Sequence, residues 1–260
     1  MTSPSQFPTP YPYVNEVLQA LLANARSILG EQFGGLYLYG SLASGGFNPR
    51  RSDIDFMVMT EGLLPEETIA ALKEMHTKLW ASGEKWAGKL EGAYVPRELL
   101  RRVEPNGPDV PQINEGKFYL AQLGSDWVIQ YHILREYSAA VEGLSLRELI
   151  DPVRPEALRE AVVKVLDEWW KPMLVDAHFL QRSEYQAFAV LTMCRALYTL
   201  REGKFVSKTE AARWAREELA ERWRGLIDWA ERWPEQQSDR LDEVLELVQH
   251  TLAASRSGID

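Results

Sequence analysis

Cysteine is nearly absent from this chain: Cys194 is the only one among 260 residues. A disulfide within the chain is excluded, and the fold needs no oxidising compartment. Cys194 lies in an apolar helical stretch, where a thiol packs as a small hydrophobe. Histidine is scarce as well. His76, His132, His178 and His250 are scattered, without the spacing of a zinc site. Long apolar runs are missing. The longest stretch without a charged residue, Gln32 to Pro49, holds five glycines and two serines, which rules it out as a membrane span. The Pro-, Ser- and Thr-rich start, Met1 to Pro12, has neither the basic opening nor the apolar centre of a signal peptide, so a cytoplasmic protein is expected. Positive charge is in deficit: 29 Lys and Arg face 38 Asp and Glu, a net of −9. Nucleic acid is a poor main partner for such a chain. A small cationic molecule suits it better, although acidity also serves simply to keep a protein soluble.

What is present is enough apolar residue, 45%, to build one large core or two ordinary ones. Val14, Val17, Leu18, Leu21, Leu22, Ala25, Ile28 and Leu29 recur at helical spacing, with Gly30 as a stop. An apolar run from Leu36 reads as a strand, Ile54–Met59 as a second, Glu66 to Leu79 as a helix, and Lys89 to Val95 as a strand ending at Pro96. Residues 97–116, rich in Pro, Gly, Asn and charge, read as a loop. Phe118–Leu123 and Trp127–Leu134 are strand or helix; runs this short leave both open. Near Asp151–Pro155 the character changes, and helical patterns follow over Pro155 to Trp170, Glu184 to Arg201, Lys208 to Trp223 and Ser238 to Ala254. The expected fold is α+β: a mixed sheet with flanking helices in residues 1–150, a helical bundle in 151–260, and a ligand between them. The tryptophans Trp169, Trp170, Trp214, Trp223, Trp229 and Trp233 recur on helical faces and read as packing.

The most informative stretch runs from Leu36 to Met59. A strand ends in Gly40-Ser41, a loop follows, and the next strand opens with Asp53-Ile54-Asp55. Alternation along a strand puts Asp53 and Asp55 on one side. Two carboxylates on one side repel unless a cation lies between them or one is protonated. Hard oxygen ligands of this kind suit Mg²⁺ held together with substrate phosphates. Gly40 lets a backbone approach a phosphate, and Ser41 offers a hydroxyl and an N–H. Phosphoryl chemistry also asks for a third carboxylate, as metal ligand or proton acceptor, and Glu91 in the strand after the intervening helix is the candidate. The bland alternative for each is a solvated strand end. Strand, Gly-Ser, loop, Asp-x-Asp and strand in that order resemble the signature of the nucleotidyltransferase superfamily.

A closer resemblance covers most of residues 30–220. Leu191 to Ala215, with its Leu-Thr helix, Arg195, Glu202-Gly-Lys204, Ser207-Lys208 and Ala211-Ala-Arg-Trp-Ala215, is similar to the helical domain of the aminoglycoside (3″)(9) adenylyltransferases. Leu134–Ser138 and Leu149–Val153 match that family's middle segment. The resemblance implies transfer of AMP from ATP, with Mg²⁺, to a hydroxyl of an aminoglycoside-type antibiotic, streptomycin or spectinomycin first. It implies that Ser41, Ser52, Asp53 and Asp55 serve the nucleotide and metal, that Glu91 is the base and a metal ligand, and that Asp126 belongs to the nucleotide site. It further implies that Arg195 and Lys208 hold the triphosphate. Taken alone, Arg195 reads as a surface ion pair with Glu202 or Glu184, and Lys208 as a solvated lysine. Gln181 to Gln186 stands where the family carries an acidic pair against the antibiotic, which makes Glu184 the candidate acceptor contact. Phe118, Tyr119 or no residue at all stands in for the family's stacking tryptophan. The rival readings are a transferase acting on a protein or another small-molecule hydroxyl, and a non-catalytic nucleotide-binding regulator.

Overall fold

A computed structural model describes residues 9–50, 52–101 and 107–256. The start of the chain up to Pro8 and residues 102–106 of the expected loop lie outside the described residues. The chain divides into two compact units, Met1–Pro152 and Val153–Asp260.

The first unit runs α1 (Pro12–Leu29), β1 (Phe33–Leu38), α2 (Gly40–Ala43), β2 (Ile54–Thr60), α3 (Glu66–Ala81), β3 (Leu90–Pro96), β4 (Val110–Asn114), β5 (Lys117–Ala121), α4 (Trp127–Tyr137), β6 (Ala139–Gly143) and α5 (Leu146–Leu149). The strands make one six-stranded sheet in the order β5-β4-β3-β2-β1-β6. Only β2 and β3, joined through α3, run parallel; every other neighbouring pair is antiparallel. Pro12 opens α1, where its missing N–H costs nothing. Val14, Val17, Leu18, Leu21, Ala25 and Leu29 then bury one stripe of that helix. The stripe packs with Leu72 and Met75 of α3 and with Leu36, Leu38, Ile54, Phe56, Val58, Leu90 and Tyr94 of the sheet. Each such side chain, fully buried, contributes about 1.5–3 kcal/mol. The period of two along the strands does the rest. While Ile54, Phe56 and Val58 point into this core, Asp55, Met57 and Met59 point to the other face.

Two local expectations need correction, and one left open is resolved. The expected loop at 97–116 contains β4, whose alternation Val110-Pro-Gln-Ile-Asn114 is interrupted by Pro111. Its ladder with β3 uses Gln112 and Ile113, so the missing proline N–H is not called on there. Beyond Gly40 the chain makes one helical turn before the loop. Of the two ambiguous runs, the first is β5 and the second α4.

The second unit is helical: α6 (Pro155–Val165), continued by a π-helical turn over Leu166–Trp170, then α7 (Ser183–Glu202), α8 (Lys208–Glu218), α9 (Arg224–Arg232) and α10 (Leu241–Arg256). Helix α7 buries Ala187, Ala189, Val190, Leu191, Met193, Cys194, Ala196, Leu197 and Leu200, nearly its whole circumference. That is the profile of an internal helix, and α6, α8, α9 and α10 pack around it. Burial pushes the Cys194 thiol up to about 12, so this cysteine packs as an inert small hydrophobe. Trp170, Trp223 and Trp229 are buried, but Trp169 is 53% exposed. The expected helix from Lys208 to Trp223 ends at Glu218, and a short turn leads into α9. Among the described residues no helix is long and apolar enough to cross a membrane.

Candidate active site

One end of the sheet, where β1 stops and β2 and β3 begin, carries the acidic residues. Asp55 is the second residue of β2 and Glu91 the second of β3, and the parallel register pairs them directly. They share the sheet face opposite the α1–α3 core. Beside them Tyr39, just past β1, donates its backbone N–H to the Asp55 carbonyl at 3.2 Å. The Tyr39 side chain is only 7% exposed. Burial first, then the charges of Asp55, Glu91 and Asp126, raise its phenol well above the ordinary tyrosine range. Three carboxylates named from the sequence thus act on one buried phenol. Tyr119 of β5 is raised likewise, by burial and then by Glu91 and Asp126.

Gly40 has to be glycine. Its φ is +61°, and a Cβ there would stand 1.9 Å from Asp55 Oδ2. The carboxylate of Asp55 therefore lies close against bare backbone. Ser41 follows in the turn and its carbonyl accepts from the Gly46 N–H at 3.0 Å. Ser52 has a loop-closing role as well: its Oγ accepts from the Asn48 N–H at 2.9 Å, while its own N–H reaches the Asn48 carbonyl at 2.8 Å. This tie delivers the chain into Asp53 and β2. Asp126 stands at the start of α4, where its carbonyl accepts from the N–H groups of Ile129 and Gln130.

Two site residues escaped sequence reasoning. Lys89 Nζ lies 3.0 Å from Asp53 Oδ1, and Asn114 Nδ2 faces Glu91 Oε1 at 3.4 Å. Lys89 closes the turn Ala87–Lys89 just before β3, where no strand period marks it. Asn114 fell in the stretch read as loop. Among the described residues no group of three or more His, Cys, Asp or Glu side chains could by itself hold a metal ion. The donor chemistry still fits Mg²⁺, which takes one or two carboxylates and completes its shell from water and substrate phosphates rather than from a protein cage. Asp53, just before β2, and Asp55, its second residue, are two such donors.

The basic candidates belong to the second unit. Arg195 on α7 sits with its guanidinium 4.5 Å from the centre of the Phe205 ring. Lys208, first residue of α8, holds its ammonium 3.9 Å from the centre of the Phe188 ring. Ser207 caps that helix by accepting from the Glu210 N–H. Of the two glutamates that sequence alone offers to Arg195, Glu202 is met by Arg201 at 3.9 Å and Glu184 by Arg182 at 2.5 Å. The Glu184 carboxylate, candidate for the acceptor, thus already has a cationic partner.

Comparison with known proteins finds matches in both units. Residues 22–107 match the model of the nucleotidyltransferase domain, and residues 148–255 that of the C-terminal domain of aminoglycoside adenylyltransferase. An aminoglycoside (3″)(9) adenylyltransferase from Klebsiella pneumoniae is 31% identical over 229 residues, covering 83% of this chain and 84% of the relative. One from Escherichia coli is 30% identical over 230 residues with the same coverage. A crystal structure of a spectinomycin adenyltransferase from Enterococcus faecialis, with ATP and spectinomycin, has the same fold: TM-score 0.72, 18% identity, 93% of this chain and 99% of that one. The α+β fold with its helical C-terminal part is therefore shared, and the chain belongs to the aminoglycoside (3″)(9) adenylyltransferase family.

Proposed function

We propose that this protein transfers AMP from ATP to a hydroxyl of a small cationic antibiotic of the streptomycin or spectinomycin class, with Mg²⁺ on the triphosphate. One observation carries the reading: Asp55 and Glu91 are paired in register at one end of the sheet, with Asp53 two residues before Asp55, in a chain of this family. Asp53 and Asp55 would hold the ion, which when bound neutralises phosphate charge and aligns the α-phosphate. Glu91 takes the proton of the acceptor hydroxyl. The oxygen so freed bonds to the α-phosphorus, the α–β bridging P–O bond breaks, and pyrophosphate leaves with that electron pair. Asn114, facing Glu91, steadies the base. Gly40 and Ser41 line the approach of the phosphates with bare backbone and a hydroxyl. Ser52 anchors the loop that presents Asp53, and Asp126 adds to the negative field at the nucleotide. From the helical unit, Arg195 offers a two-pronged clamp and Lys208 a point charge for the triphosphate. Glu184 contributes negative charge toward a cationic acceptor once Arg182 releases it. Such catalysis consists of positioning and electrostatics.

The test is pyrophosphate release from ATP and Mg²⁺ with and without streptomycin or spectinomycin. Release that requires one of these acceptors supports the proposal. Release at the same rate without any acceptor, or none with either, overturns it.

A further inference from the structure

We infer that Lys89 is a counter-cation built into the sheet to guard Asp53, so that a divalent ion settles on the carboxylates only in company with a nucleotide. The inference rests on the reading of Asp53 and Asp55 as the metal carboxylates. Its origin is the strand register. Ile54 pairs with Leu90 and Asp55 with Glu91 on parallel strands, so the preceding residues, Asp53 and Lys89, fall beside each other too. Lys89 Nζ meets Asp53 Oδ1 at 3.0 Å. The Lys89 backbone is fixed by its N–H donating to the Trp86 carbonyl at 3.1 Å, at the end of the short turn Ala87–Lys89 that feeds β3. The same pairing that aligns base and metal ligand therefore also sets an ammonium on the other ligand.

The strength of the pair matters as much as its position. The side chains are 33% and 44% exposed, and an ion pair this open to water is weak and readily exchanged. A free divalent ion approaching Asp53 must displace the ammonium or sit beside it, against like-charge repulsion, with little in return from two carboxylates. A triphosphate changes the balance. It brings oxygens for the ion, and it brings anionic partners that a lysine on its flexible four-carbon stem can turn to. Lys89 thereby couples metal to nucleotide: each binds more tightly when the other is present, by the same factor.

Mn²⁺ binding followed by electron paramagnetic resonance tests this, alone and with a non-hydrolysable α,β-methylene ATP analogue. In Lys89→Met, Mn²⁺ alone should bind about tenfold more tightly than in wild type, the order expected for removing one unit charge at a hydrated site. The nucleotide's enhancement of Mn²⁺ binding should shrink by the same factor. Lys89→Arg, which keeps the charge, should behave like wild type. In an Asp53→Asn background the Lys89→Met effect should vanish. Equal Mn²⁺ affinity in wild type and Lys89→Met overturns the inference. If Asp53→Asn and Asp55→Asn also bind Mn²⁺ with the analogue as wild type does, the metal reading itself falls. If those two variants lose the ion while Lys89→Met changes nothing, only the role of Lys89 falls.

Discussion

Replacing Gly40 by alanine isolates the tightest contact in the site. Two separate costs follow from the geometry, and a second glycine lets them be told apart. Gly40 has φ +61° and Gly45 has φ +76°, so alanine at either position adopts a left-handed backbone, at about 1–2 kcal/mol. The surroundings differ. A Cβ at Gly45 meets nothing within 4 Å, whereas at Gly40 it stands 1.9 Å from Asp55 Oδ2 and 2.6 Å from its Cγ. The Asp55 carboxylate must then retreat by roughly 1 Å, a displacement that costs about 100-fold in rate at a reacting centre. Urea denaturation should show both variants destabilised by about 1–2 kcal/mol. AMP transfer should fall about 100-fold in Gly40→Ala and remain near wild type in Gly45→Ala. Equal rates in the two variants would refute the argument that Asp55 is held against the Gly40 backbone for function.

Glu91→Gln keeps the shape of the side chain and removes the base. Turnover should drop by about 10²–10⁴-fold, while calorimetric affinity for the ATP analogue stays within about twofold. Arg195→Met should raise the KM for ATP more than that for the acceptor. Phe205→Leu, which removes the ring 4.5 Å from the Arg195 guanidinium, should give a smaller rise of about fivefold, the worth of one cation–π contact. His76 supplies a pH prediction. It is 2% exposed and its Nε2 lies 2.8 Å from the Tyr94 hydroxyl, and burial pushes its imidazole down to about 4. The unfolded chain therefore takes up its proton at higher pH than the folded one. The stability from this group is complete above about pH 6.5 and is lost as pH falls toward 4. Unfolding free energy should drop by about 2 kcal/mol between pH 7 and pH 5 from this residue, and the drop should be missing in His76→Leu.

Much of the first unit can be read from residue order because its elements carry strong local periods. The α1 stripe from Val14 to Leu29 and the strand Ile54–Met59 are examples, and Asp53, Asp55 and Glu91 stand out against such apolar surroundings. What escapes is set by pairing across the sheet. β4 was hidden by Pro111 and by having only Val110 and Ile113 besides it as buried apolar anchors. β6, with two alanines and a glycine among five residues, has little strand propensity of its own and exists because β1 pairs with it. Lys89 and Asn114 became site residues only once register set them opposite Asp53 and beside Glu91. In the helical unit, the rings under Arg195 and Lys208 lie ten and twenty residues away along the chain. Helical packing rather than sequence spacing brings them there.

The most direct measurement is the mass of the antibiotic itself. Streptomycin, spectinomycin and a panel of other aminoglycosides are incubated with the protein, ATP and Mg²⁺, in parallel with Glu91→Gln and Asp53→Asn. A drug that gains one adenylyl group with wild type, and not with either variant, is the predicted result. No adduct on any drug, under conditions where the wild type binds ATP and Mg²⁺, would contradict the assignment of this site to antibiotic adenylylation.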